Sequence, residues 1–184
     1  MARPPISAPS ELLTPAQARR LFAYNCEVFD RFVRRVRSLS WRDARRRREI
    51  GHQTLFDTLV HILNAQEVWI GYILQGRNTD PELEQLFDDP TRHPKDWKEF
   101  RVYASRVRAT IDGYLAHVTP RSLRAPVRAF WMPGAYAASD GLWQATFEQA
   151  HHLGEIIGAL WQDDVAPPEM TWIGVGRSLR TRRR

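Results

Sequence analysis

Glu148 and His152 stand four residues apart in FEQAHHLGEI. On a helix that spacing puts both side chains on one face, their Cβ atoms about 6 Å apart, which suits two ligands of one metal ion. His61 offers a third donor. It lies in the apolar run TLVHILN, flanked by Val60, Ile62 and Leu63, where a helix would turn a polar ring into a bundle or its mouth. Two imidazoles and a carboxylate from facing helices leave coordination positions open, as expected of a catalytic rather than a structural site. Plainer readings stand beside this one. A lone histidine on an apolar helix is more often a hydrogen-bonded core residue, and an i,i+4 Glu–His pair is more often a surface or capping contact. Spacing alone does not show that two helices face each other.

The neighbours of these residues carry alternatives too. His151, three residues from Glu148, can approach the same carboxylate and rivals His152. Asp57, one turn before His61, could orient the His61 ring or be a solvated helix residue. Gly154 would permit close helix approach, or is simply tolerated. Cys26, on a helix beside apolar residues, reads as a small inert hydrophobe rather than a nucleophile.

The elements that must position these groups are four long helices. Thr14-Pro15 is a helix start, a capping hydroxyl followed by proline at the first helical position. Leu21, Phe22, Phe29, Phe32, Val33 and Val36 then recur at helical spacing, predicting a helix from about Pro15 to Leu39. A second runs from about Gln53 to Leu74, with Leu55, Leu59, Ile62, Leu63, Ile70 and Ile73 as its apolar stripe, and stops near Gly76. Residues 76–94, with Pro81, Pro90 and Pro94, read as a long crossover connection. A third helix covers about Lys95 to Val118, burying Trp97, Phe100, Val107, Ile111 and Leu115, and Pro120 ends it. Residues 120–138 read as an ordered loop over one end of the bundle. Ser139 is the expected cap of a fourth helix to about Gln162, with Asp140 complementing its dipole. No repeat and no convincing strand alternation appears, so the fold class is all-α, a four-helix bundle with one long crossover.

At 184 residues the chain fits one domain that buries roughly 70% of its unfolded surface. Residues 15–176 form the expected bundle, after a flexible segment 1–14 and before a basic tail 177–184. Pro167, Pro168, Trp172 and Ile173 are expected to dock on the bundle before that tail, and deleting the tail should leave stability nearly unchanged. The single cysteine and the absence of an apolar leader core point to the cytoplasm. The region from Leu55 to Leu74 is interrupted by Asp57, His61, Asn64, Gln66 and Glu67, so no membrane span is expected. The net charge of +6 invites a nucleic-acid reading. Its main runs, Arg42–Arg48 and Arg177–Arg184, lack the interleaved aromatics of a base-stacking surface, which argues against that partner.

The sequence around the three candidate ligands resembles the DinB/YfiT-like superfamily. TLVHILNAQEVWIGYIL is similar to its second-helix signature, a histidine followed by an acidic and aromatic segment. HHLGEI resembles its fourth-helix His-Arg-Gly-Gln-Ile-like signature, with Leu153 in place of the usual arginine. The resemblance covers about residues 15–162. It implies a metal-binding histidine triad whose last two members form an His-x-x-x-His pair, placing ligands at His61 and His152 and favouring His152 over His151. The middle position is Glu148. A Glu-x-x-x-His pair is what the related mycothiol-dependent maleylpyruvate isomerases use, and a carboxylate there lowers the site's net charge by one and adds a hard oxygen donor. The resemblance further implies a divalent ion, zinc or nickel, and a low-molecular-weight thiol cosubstrate of the bacillithiol or mycothiol type reacting with a small electrophile. That makes a metal-dependent thiol S-transferase or isomerase one reading, and a non-enzymatic metal-binding protein of stress response the other. Seven tryptophans would allow a homodimer through helix packing without demanding one.

Overall fold

The computed structural model describes residues 13–88 and 93–172; the expectations for segment 1–12 and for the basic tail lie outside them. Thr14 caps α1 (Pro15–Arg37) in a reciprocal box with Gln17, as the Thr-Pro start predicts. After the single turn α2 (Trp41–Ala44) comes α3 (Leu55–Gln66), capped by Thr54 rather than beginning at Gln53, whose φ of 64° is left-handed and cannot open a helix. The predicted second helix is also not one α-helix. It continues as a π-helical turn (Glu67–Tyr72) and a 3₁₀ turn (Ile73–Gln75), and ends at left-handed Gly76.

Within the predicted connection lies α4 (Pro81–Asp88). Asp80 Oδ1 accepts the Glu82 amide and Pro81 opens the first turn, so this proline starts a helix instead of marking a loop. Leu83 and Leu86 are buried, and Asn64 Nδ2 donates to the Leu86 carbonyl at 3.0 Å. The third long helix, α5 (Trp97–His117), is capped by Asp96. Thr119 and Pro120 then start α6 (Pro120–Arg124), and the two-residue strands β1 (Pro126–Val127) and β2 (Tyr136–Ala137) pair antiparallel, which the sequence reading did not expect.

The fourth long helix is α7 (Ala138–Gln162). Ala137, not Ser139, precedes its first turn, and Asp140 accepts the Ala137 amide at 3.2 Å; Ser139 is already inside the helix and buried. Helices α1, α3, α5 and α7 form the bundle: α3 packs on α7, α5 and α1, and α1 packs on α7 and α5. The apolar stripes meet in one core that includes Phe22, Phe32, Phe56, Ile62, Ile111, Leu153 and Ile156. The chain after α7 returns to α1, where Tyr24 donates to the Met170 carbonyl at 2.5 Å and its ring meets Trp172 edge-on. Among the described residues no helix is long and apolar enough to cross a membrane.

Candidate metal centre

A buried polar ladder sets the register of α7 against α1 and α3. Gln66 Nε2 donates to Gln149 Oε1 at 2.5 Å, Gln149 Nε2 to the Asn25 carbonyl at 2.9 Å, and Asn25 Nδ2 to Thr146 Oγ1 at 2.9 Å. With every member satisfied inside the core, sliding α7 by one residue would strand several polar groups. Glu148, next to Gln149, thereby faces α3 beside His61.

The three sequence-predicted ligands come together. Glu148 Oε1 lies 3.5 Å from His61 Nε2 and 3.3 Å from His152 Nε2. The His152 side chain is 8% exposed, whereas that of His151 is 68% exposed, lies 3.9 Å from Glu155 and meets the His152 ring edge-on at 4.8 Å. Two alternatives that the sequence left open resolve to the plainer reading. Asp57 does not serve His61: its carboxylate takes Arg45 at 2.6 Å and the Thr54 hydroxyl at 2.6 Å. Gly154 admits no close neighbour, since a Cβ there would meet nothing within 4 Å; the glycine at a tight approach is Gly141, whose Cβ would fall 2.6 Å from Leu74 Cδ2.

Two residues that the sequence reading passed over complete the centre. Glu155 accepts the Nδ1 proton of His152 at 2.8 Å and the Gly51 amide at 3.1 Å. Burial alone would raise the Glu155 carboxyl, but these hydrogen bonds hold it below the usual range. His52 stacks on His61 with ring centroids 3.7 Å apart and planes 20° apart, and meets His152 edge-on at 4.9 Å. His52, His61 and His152 each offer a donor atom within 4.8 Å of the others, so the His52 imidazole joins those of the sequence triad. The only signal for His52 was its place two residues before a helix cap; for Glu155 it was an i,i+3 spacing from His152.

The donor set fits a cation. With the His152 proton on Nδ1, Nε2 presents a lone pair to the Glu148 carboxylate, and two acceptors at 3.3 Å need a positive centre between them. Burial, then the neighbouring His52 and His152, push His61 down to about 4 against the pull of Glu148, so its ring is neutral and able to donate a lone pair. Burial and His152 likewise lower His52. His52 and His61 line one wall of a cleft of about 660 Å³ that also carries Arg45, Asp57, His93 and Lys95.

A model of the DinB superfamily matches residues 27–156, most of the chain and every residue of the histidine and glutamate cluster. The chain belongs to the DinB superfamily. No curated protein matches it significantly. As a DinB protein it carries a candidate metal-binding cluster in which His52 and His61 meet His152 of the fourth long helix, with a second grouping of His151, His152 and Glu155 on that helix. Cys26 stands outside this cluster: it is 7% exposed, and burial pushes its thiol up to about 11, so it offers little thiolate at neutral pH.

Proposed function

We propose that His61, Glu148 and His152 hold one divalent ion, zinc or nickel, and that the protein is a metal-dependent S-transferase, or a related enzyme, for a low-molecular-weight thiol of the bacillithiol or mycothiol type. What supports the reading is the Glu148 oxygen standing between two imidazole nitrogens, at 3.5 and 3.3 Å, beside an open cleft. A bound divalent ion would supply Lewis acidity that lets a thiol enter as its thiolate at neutral pH. The protein's own groups do the rest. Glu155 fixes the His152 ring so that Nε2 faces the ion, and Glu148 adds the negative charge that favours a dication over a proton. Lys95, on the cleft wall, brings positive charge to the carboxylates of an anionic thiol.

The test is cobalt substitution followed by a thiol screen. The expected result is sulfur-to-metal charge-transfer absorption with the correct thiol, and conjugation of that thiol to a model electrophile. His152→Ala should abolish both while helical circular dichroism persists, because the bundle is held by its apolar stripes. Glu148→His should keep the metal. If the metal binds but no thiol perturbs it and no turnover is found, the non-enzymatic metal-binding reading replaces this one.

A further inference from the structure

His52 is not part of the paired helical motifs, yet the structure invests in holding it at the cluster. It sits in the loop between α2 and α3, and that loop is tied to α7 at two points. Arg46 and Arg48 both pair with Asp163, Arg48 at 2.6 Å, and the Gly51 amide donates to Glu155 at 3.1 Å. Glu155 is the carboxylate that also orients His152, so one side chain sets both a candidate ligand and the loop that carries His52. Gly51 has the space this requires: a Cβ there would stand 3.0 Å from Glu155 Oε1. The next residue but one, Gln53, is held at φ 64°. A left-handed non-glycine residue costs about 1 kcal/mol and persists only where its surroundings impose it. Here the turn it closes, with Arg48 N–H bonded to the Gln53 carbonyl at 2.6 Å and Thr54 N–H to the His52 carbonyl at 2.7 Å, carries the His52 ring onto His61.

Resting on the metal-centre reading, we propose that His52 is a fourth protein donor to the ion, supplied by this latched loop and displaced when an anionic ligand enters from the cleft. Its donor lies within 4.8 Å of those of His61 and His152, and ligands of a single ion at about 2.0–2.1 Å stand somewhat closer than that. As placed, the ring lies flat on His61, so it reaches the ion by turning about its own side-chain bonds. That gives it two positions, stacked and ligating. Because His52 also lines the cleft, a ligand arriving there meets it first.

The experiment loads one equivalent of copper(II) and counts bound imidazoles by pulsed electron paramagnetic resonance, then titrates azide. Wild type should show three imidazoles. His52→Phe keeps a ring to stack on His61 but has no donor, and should show two, with metal affinity reduced tenfold or more. His52→Ala should match it in imidazole count and bind azide several-fold more tightly than wild type, since no internal ligand has to leave. Two imidazoles in wild type, or His52→Phe indistinguishable from wild type in count and affinity, would overturn the assignment. Copper whose binding His61→Ala and His152→Ala leave unchanged would instead sink the metal centre itself.

Discussion

Glu155 serves two donors with its two oxygens, and that makes it the residue on which the centre's geometry turns. Oε2 takes the His152 Nδ1 proton and Oε1 the Gly51 amide. An amide in its place has one acceptor and one donor. In Glu155→Gln, if the oxygen stays with Gly51, the NH₂ faces Nδ1 and drives the His152 proton to Nε2, where it occupies the lone pair meant for the ion. We expect Glu155→Gln to lower metal affinity by about 10- to 100-fold, the usual effect of losing a carboxylate behind a ligating histidine. Competition against a chromophoric chelator measures this, and the metal-free variant should melt close to wild type, having lost about 1 kcal/mol or less in partly exposed hydrogen bonds. Unchanged affinity would show that the Nδ1 contact does not orient the ring.

At the scale of elements, the close contact between α7 and the end of the second long helix is made at Gly141. A methyl group there would meet Leu74 Cδ2 at 2.6 Å and Trp69 Cε3 at 3.3 Å, both on buried side chains, so Gly141→Ala should cost about 1–3 kcal/mol of overpacking despite its better helix propensity. Gly154, on the same helix but open to solvent, should do the opposite: Gly154→Ala should add about 0.5–1 kcal/mol. Urea titrations of the two variants should therefore move in opposite directions, and a common sign would refute this account of α7. The same pair shows what the sequence discloses. The α-helical period located the four long helices and most of their buried faces, because a stripe such as Leu55, Leu59, Ile62 and Leu63 has one physical meaning. Glu148 and His152 were legible for the same reason. Gly141 and Gly154 look alike in sequence, since which glycine a neighbour approaches is decided by tertiary packing. The π-turn at Glu67–Tyr72 was hidden too: all six of its residues are buried, so a change of exposure does not mark the change of period, and the one charged side chain among them, Glu67, is paired with Arg106 at 2.8 Å. His52 lay in a loop, where periodicity says nothing about direction.

At the scale of the whole molecule, several arginines among the described residues are taken up in ion pairs. Arg45 pairs with Asp57, Arg106 with Glu67, Arg108 with Asp30, and Arg46 and Arg48 with Asp163, so the run Arg42–Arg48 is in good part a clamp that closes the α2–α3 loop onto the end of α7. Asp163 is the hub. Burial would raise its carboxyl, but hydrogen bonds from Arg48 and Arg46, reinforced by their charges, hold it below the usual range. A carboxyl whose folded pKa lies below its unfolded value stabilises the fold fully above about pH 5, and that contribution drains away as the pH falls through about 4 toward the depressed value. Arg48 is 5% exposed, so losing its anionic partner leaves a buried guanidinium under-compensated, while Arg46 is half exposed and contributes little. Asp163→Asn retains one acceptor, so the expected loss is about 1–2 kcal/mol at pH 7, discounted for screening on the Arg46 side. Every other carboxylate also titrates in acid, so the informative quantity is the difference between wild type and variant measured by urea unfolding at each pH. That difference should be constant from about pH 6 to 8 and shrink as the pH falls below about 4 toward the depressed value. A gap that stays unchanged or widens as the pH falls would mean that Asp163 acts through packing rather than charge, and that the loop bearing His52 is held by something other than this clamp.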